Sequence, residues 1–368
     1  MNLIIPEPRL FEQTPGMWRV EAEIAGQEIY FESPVPLSPR VEAFVCAMMF
    51  PAMSRGMNLD VQAPLSPVMI ENLRQTRVIA RQWWPHLDGG EIIAPSAPNR
   101  NRATGKGLFF TGGVDSSFAL YRLKEEVNEL LFVEGFDVEL TDEPRLRRVR
   151  DSLQAVAKAT GHPLVFVRTN LRSHHVFRSL CWEITHIAAL AAVAHTLGDR
   201  FGTLYVADSD VPPPYGSHPD LDGLWSSDSV EITSFGAGHS RLQRTAEIRD
   251  WQPLRGRLHV CWENRAETLN CGFCKKCLLT RLQLLAAGDP AGMDSFPDAP
   301  LAEALECIVK TAPGSNYPHF WCETQVALND VRLRDLIERL LTQNPHPSPT
   351  VIKRIKTLLE QLFGLERK

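Results

Sequence analysis

The chain has 368 residues, 44% of them hydrophobic and 23% charged, with a formal charge of -5. That length exceeds one ordinary core, so a main unit with appended pieces is expected, and the mild acidity argues against a general nucleic-acid binder. No apolar run approaches the roughly 18 to 20 residues of a membrane span, and Met1 to Leu10, with Glu7 and its prolines, lacks the charged-then-apolar design of a signal peptide, so a cytoplasmic protein without membrane contact is expected.

Taken in chain order, residues 1–100 read as an N-terminal α+β extension. Alternation over Trp18–Ile24, a break at Ala25-Gly26 and a second run Glu28–Phe31 predict a β-hairpin. Helical segments follow at Val41–Met53 and Val68–Trp84, and the Pro-, Asn-, Arg- and Gly-rich stretch Ala94–Gly107 reads as a linker. From Gly107 short apolar strands alternate with helices. The strands are Leu108–Phe110, Leu130–Val133, Leu164–Val167, Thr203–Ala207 and Val230–Ile232; the helices run through Leu123, over Glu143–Thr160 and over Cys181–Leu197. The last of these holds His195 in its most apolar part. This pattern predicts an α/β fold with a parallel sheet covered on both faces, in which ligands gather at the strands' carboxyl ends. Residues 297–368 form a helical C-terminal extension. In its terminal helix Val351, Ile355, Leu358, Leu359, Leu362 and Phe363 share a face expected to dock on the protein's own core.

The first strand of the alternating region runs into Phe110-Thr111-Gly112-Gly113-Val114-Asp115-Ser116-Ser117. Two consecutive glycines let the backbone approach an anion without a Cβ in the way. A helix starting near Ser116 would present unpaired amides and a partial positive charge, and Thr111, Ser116 and Ser117 add hydroxyl donors. A carboxylate at Asp115 would repel a phosphate, so its expected work is to orient the loop or to help hold Mg²⁺. A strand-turn-helix with an ordinary Ser/Asp cap is the plain alternative. Gly105-Lys106 precedes the strand instead of following it, which excludes a Walker A loop.

Eight cysteines are present. Cys46, Cys181, Cys307 and Cys322 stand apart and read as small buried hydrophobes. Cys261, Cys271, Cys274 and Cys277 follow the spacing C-x9-C-x2-C-x2-C. Three thiolates on one tight turn, joined by Cys261 from the end of an expected strand Leu258–Val260, can close a tetrahedral shell around structural Zn²⁺. A [4Fe–4S] cluster and a redox C-x-x-C are the competing readings.

The stretch from Thr111 to Ser117 resembles the SGG-x-DS signature of PP-loop ATP pyrophosphatases, with Thr111 in place of Ser. Cys271-Gly272-Phe273-Cys274-Lys275-Lys276-Cys277, closing the same region, resembles the 7-cyano-7-deazaguanine synthase group of that family. The likeness covers roughly residues 107 to 287. It implies a Rossmann-like, five-stranded parallel sheet of the adenine nucleotide alpha hydrolase type over 107–290, with the zinc site at 261–277. It also implies ATP cleavage to AMP and pyrophosphate with Mg²⁺. A Tyr-Pro-Asp-Cys-Arg stretch in that group corresponds here to Gly216–Asp222, where Pro219-Asp220 survives and Cys and Arg are absent. A Lys-x-Glu-Ile helix start looks like Arg244–Ile248, with Arg for Lys.

The expected activity is therefore an ATP-dependent ligase. A carboxylate or carbonyl oxygen of a small-molecule, peptide or protein acid attacks the α-phosphorus, and ammonia or an amine then displaces AMP. Phe110 to Ser117 would cradle the nucleotide, Asp115 and Ser116 act in the loop, Arg244 contact phosphate, and His218 on the loop after the fourth strand serve as base. Asp208 and Asp210 are unspecific candidates for metal or substrate contact. Two other readings stand beside this one: a sulfur transferase, with Cys181 as the nearby thiol, and a nucleotide-binding sensor or assembly subunit without turnover. A homodimer is compatible with the sequence.

Overall fold

The computed structural model describes residues 1–98, 101–264, 267–289, 294–311, 314–315 and 317–342. The chain opens with β1 (Asn2–Ile5), β2 (Arg9–Thr14), β3 (Met17–Ile24), β4 (Gln27–Ser33), α1 (Val41–Ser54), β5 (Asn58–Val61), α2 (Pro67–Trp83) and β6 (Ile92–Ile93). The alternating region holds β7 (Gly105–Phe109), α3 (Val114–Leu123), β8 (Glu129–Glu134), α4 (Glu143–Thr160), β9 (Leu164–Thr169), α5 (Trp182–Thr196), β10 (Phe201–Ala207), α6 (Pro219–Asp222) and β11 (Glu231–Phe235). Then come α7 (Arg241–Ile248), α8 (Lys275–Ala286), α9 (Leu301–Thr311), α10 (Pro318–Ala327) and α11 (Val331–Thr342). Two compact units emerge: one from 1–111 and 119–238, the other from 112–118 and the described residues from 239 onward.

The first unit is built on an eight-stranded sheet in the order β11-β10-β7-β8-β9-β4-β3-β2. The five strands expected from the alternating region are all present and all parallel. The sheet is nevertheless larger than five strands. The N-terminal hairpin adds β4 antiparallel to β9, Phe31 opposite Thr169, and β3 and β2 follow. Nothing local to the hairpin could have named that edge, because alternation specifies a half-buried strand and not its neighbour. A second, parallel sheet of β1, β5 and β6 was not foreseen, since its strands are only two to four residues long. Along the parallel set, chain order runs outward from β7 through β8 to β9, then returns to place β10 on β7's other side. The carboxyl ends of β7 and β10 thus mark the topological switch point.

Helix α1 is buried along nearly its whole length and packs on α5. Ala188, Ala189, Ala191, Ala192 and Ala194 of α5 are fully buried, and small side chains of this kind let helices approach closely at crystal-like packing density. His195 is buried as expected. Its Nε2 donates to the Trp225 carbonyl at 2.9 Å, and burial pulls its pKa down to about 4, so the ring is neutral. Helix α4 spans the predicted residues, between an Asp142 cap that accepts the Arg145 amide and Gly161 in the left-handed conformation.

The second unit gathers α7 to α11, with α8 packed against α7, α9 and α10, and α11 against α9 and α10. The expected terminal helix of residues 351–363 lies outside the described residues. Of the isolated cysteines, Cys46 is buried, but Cys181 and Cys307 are exposed, which corrects the reading of them as core residues. Cys181 stands at the N-cap position of α5 without a side-chain cap bond and Cys307 lies on an amphipathic helix, so neither local pattern carried it inward.

Close packing around α5 makes a direct prediction. Ala191→Leu forces a larger side chain into a fully buried site and should cost about 1 to 3 kcal/mol. Glu23→Gln on an exposed strand position should stay within about 0.5 kcal/mol. Urea unfolding of both variants beside the wild type checks the contrast.

Candidate functional site

β7 ends at Phe109, and the backbone then turns through Thr111 and two glycines into α3. Gly112 sits at φ +72, a left-handed conformation that a side chain strains to adopt, so the turn itself requires this glycine. Helix α3 starts at Val114, two residues before the expected Ser116. The reason is visible in the hydrogen bonds: the Gly113 carbonyl accepts the Ser117 amide at 2.9 Å and closes the first turn. The first-turn amides, the ones that an α-helix presents at its start, therefore begin at Val114. Of the three expected hydroxyl donors, Ser116 Oγ turns back to the Gly113 carbonyl at 3.3 Å. Ser117 is fully buried, and its Oγ has no partner among the described residues. A buried hydroxyl left unpaired carries a desolvation cost that a bound group would remove.

Asp115 and Arg244, both expected at the site, do meet. Arg244 Nη1 donates to Asp115 Oδ1 at 2.9 Å, and Arg241 Nη1 donates to Oδ2 at 2.7 Å. Both arginines are buried on the first turn of α7, whose start is set by a Ser240/Gln243 capping box. Burial alone would raise the Asp115 pKa, but the charges of Arg241, Arg244 and Lys276, with the Arg244 hydrogen bond, hold it below the usual carboxylate range. A dication on this carboxylate would meet two guanidinium groups, so of the two jobs expected for Asp115 the geometry favours orienting the loop. Arg241 escaped the sequence reading. The spacing Arg241-x-x-Arg244 just after a capping box was the available signal, since i and i+3 share a helix face.

His218 is placed differently from the expectation of a free base. Its ring accepts the Asp220 amide at 3.2 Å, caps the short α6, and lies edge-on to Trp83 at 5.3 Å between centroids. The lone pair a base would need is engaged in that cap. Beside it, Asp222 is fully buried and accepts from Ser217 Oγ at 3.2 Å and from the His218 amide at 2.9 Å. Burial raises the Asp222 pKa to about 7 despite these bonds. Asp208, buried just past β10, accepts the Asp210 amide at 2.8 Å, and Asp210 sits at φ +53.

The four clustered cysteines come together. Their sulfurs all lie within 4.8 Å of one another and all four residues are buried. Cys271 and Cys277 sulfurs are 3.8 Å apart, which matches the separation of about 3.8 Å that follows from Zn–S bonds of about 2.3 Å in a tetrahedron. Backbone amides of Cys274 and Cys277 point at the sulfurs of Cys271 and Cys274 at 3.3 and 3.4 Å. Hydrogen bonds from the Cys274 and Cys277 thiols favour the thiolate at Cys261, and the pairing with Cys261 pushes Cys274 up to about 12. A metal ion would displace such shared protons. Gly272 is required here: it sits at φ +82, and a Cβ would lie 2.7 Å from Pro297 Cγ.

The segment before Cys261 is not the expected strand. Its amides go elsewhere: Leu258 to Ser295 Oγ, His259 to the Gly112 carbonyl, Val260 and Cys261 to Asn270 Oδ1. A strand needs a continuous ladder to a neighbouring backbone; here His259 alone reaches a backbone carbonyl, and side chains take the amides of Leu258, Val260 and Cys261. Asn270, fully buried, was missed because a lone Asn before a cysteine reads as a turn residue.

Two outcomes follow. Asp115→Asn leaves two buried guanidiniums without a counter-charge and should cost up to about 3 to 5 kcal/mol, reduced by water reaching a carboxylate that is 24% exposed. Because the folded pKa is lowered, the wild-type advantage should be complete above the ordinary carboxylate value of about 4. It should shrink as pH falls through the lower folded value, as unfolding curves of both proteins at several pH values will show. Metal analysis by plasma mass spectrometry should find about one ion per chain, lost in Cys277→Ser, as one closed four-thiolate site requires. Comparison of the chain with family models, curated proteins and solved structures gave no match.

Proposed function

We propose that the chain is an ATP-dependent ligase of the PP-loop type, resembling the 7-cyano-7-deazaguanine synthase group on a Rossmann-like sheet. It activates a carboxylate or carbonyl by adenylation, releases pyrophosphate, and passes the acyl group to ammonia or an amine. The observation that carries this reading is the loop from Thr111 to Ser117. It leaves the strand at the switch point of five parallel strands, turns at a left-handed Gly112, and enters a helix whose buried Ser117 hydroxyl has no partner among the described residues.

In this reading the first-turn amides of α3 and the Ser117 hydroxyl receive phosphate oxygens, as donors already oriented toward developing charge. Asp115, held by Arg241 and Arg244, keeps the loop in shape. The arginines place positive charge beside it, and Arg forks suit phosphate oxygens. Mg²⁺ accompanying ATP would neutralise charge on the phosphates. The four-cysteine site fits Zn²⁺ in a structural role, since four thiolates leave no open position for substrate. Sulfur transfer finds less support: although Cys181 is an exposed residue, partial desolvation and the neighbouring Glu183 carboxylate push its thiol up, away from the reactive thiolate such chemistry needs.

The test is an assay of ATP conversion to AMP and pyrophosphate by the full chain, with mixtures of carboxylic acids and ammonia or amines. Wild-type protein should release both products. Ser117→Ala removes a buried unpaired hydroxyl, so the fold should be unharmed, while AMP release should fall by about 10- to 100-fold. ADP as product, or ATP bound and never cleaved across the mixtures, would overturn the ligase reading.

A further inference from the structure

The second unit contains a route from the cysteine turn to the glycine loop. The left-handed Gly112 presents its carbonyl to the His259 amide, which donates at 2.8 Å. His259 belongs to the segment 258–261, which pairs with no strand among the described residues. Asn270 holds that segment with both ends of its carboxamide. Its Oδ1 accepts the Val260 amide at 2.8 Å and the Cys261 amide at 3.1 Å. Its Nδ2 donates to the Leu258 carbonyl at 2.7 Å and the Ser295 carbonyl at 2.8 Å. Asn270 immediately precedes Cys271, and the segment it clamps ends at Cys261. The two residues that flank this clamp are thus both members of the four-sulfur cluster.

A second route starts from the other end of the same turn. Cys274 caps α8 by accepting the Cys277 amide. The helix then brings the Lys276 charge to bear on Asp115 and offers Thr280 Oγ1 to Arg241 Nη2 at 3.3 Å. The Gly112 carbonyl and the Asp115 carboxylate are therefore both supported from elements whose positions are set by the cysteine turn.

We infer that Asn270 is a positioning residue for the glycine loop, and that the metal-bearing turn acts through it to hold the Gly112–Ser117 backbone in its left-handed-then-helical form. A metal that ties Cys261 to Cys271 closes the same ends that Asn270 bridges, so the ion and the carboxamide act on one segment. Without either, the His259 amide loses its fixed place and the Gly112 carbonyl loses its partner. The importance of this for catalysis rests on the loop being the phosphate site; the positioning itself does not.

Hydrogen exchange read by mass spectrometry on the full chain separates the two. In Asn270→Ala that retains about one metal ion per chain, exchange in peptides covering 110–118 and 258–261 should quicken by about 10-fold or more, while α5 peptides stay as in wild type. Metal-stripped wild type should show the same local change, reversed on adding Zn²⁺; this arm stands even if Asn270→Ala fails to fold. Asn270→Asp, which keeps the acceptor for Val260 and Cys261 but loses the donors, should fall between. ATP titration of the same samples should show a raised KM or Kd with a smaller change in kcat. Unchanged exchange at 110–118 in both metal-loaded Asn270→Ala and stripped wild type would overturn the inference. Faster loop exchange in a protein whose wild type never binds ATP would uphold the positioning and sink the nucleotide reading.

Discussion

A carboxylate set between two buried guanidinium groups is the interaction on which the candidate site depends. Arg241 and Arg244 have almost no contact with solvent, and burying two like charges side by side is costly unless an anion lies between them. Asp115 is that anion, and its place on the first turn of α3 ties the glycine loop to α7. The same arrangement puts a dense positive field next to amides that already favour anions. Asp115 is held ionised by those charges, so the pair is in force at neutral pH. The exposed quarter of its side chain leaves it accessible from solvent, and the loop is accordingly both braced and open.

The cysteine turn serves the same loop from another side. Four buried sulfurs within metal-binding distance, a glycine in the left-handed region beside Pro297, and Asn270 bonded to Leu258, Val260, Cys261 and Ser295 brace one another. Small helical units of this kind have limited apolar area to bury, and a closed metal site supplies the missing constraint. Arg281, donating to the carbonyls of Gly272 and Ala299, fixes the turn to the chain that follows α8. In the first unit the constraint is different. There the apolar parallel strands need cover on both faces, and α1 from the N-terminal region packs on α5 to supply part of it. The N-terminal hairpin pairs with β9, which would otherwise be an open edge.

Much of this could be read before any coordinate was known. The five apolar strands, the helices at Glu143–Thr160 and Val41–Met53, and the hairpin at Trp18–Phe31 follow from local periodicity, and local periodicity is what short elements obey. The cysteine spacing announced a four-sulfur cluster because two overlapping C-x2-C steps leave few other geometries. Asp115 and Arg244 were named as site residues from separate motifs, 129 positions apart in the chain. What remained hidden was pairing: that Asp115 meets Arg244 directly, that Arg241 joins them, that His218 caps a helix, and that Asp222 is buried beside it.

The amino-acid sequence by itself determined the five parallel strands and the helices between them, where the glycine loop lies, and which four sulfurs can share a metal, since each rests on residues close in the chain. Tertiary structure alone decided that the hairpin extends the parallel sheet to eight strands, that Leu258 and Val260 bond to side chains instead of a strand, and that the Gly112 carbonyl is held by His259. Those outcomes depend on hydrogen-bond partners far away in sequence. A backbone amide carries no mark of the acceptor it will meet; only folding, which must satisfy every buried donor at once, chooses it.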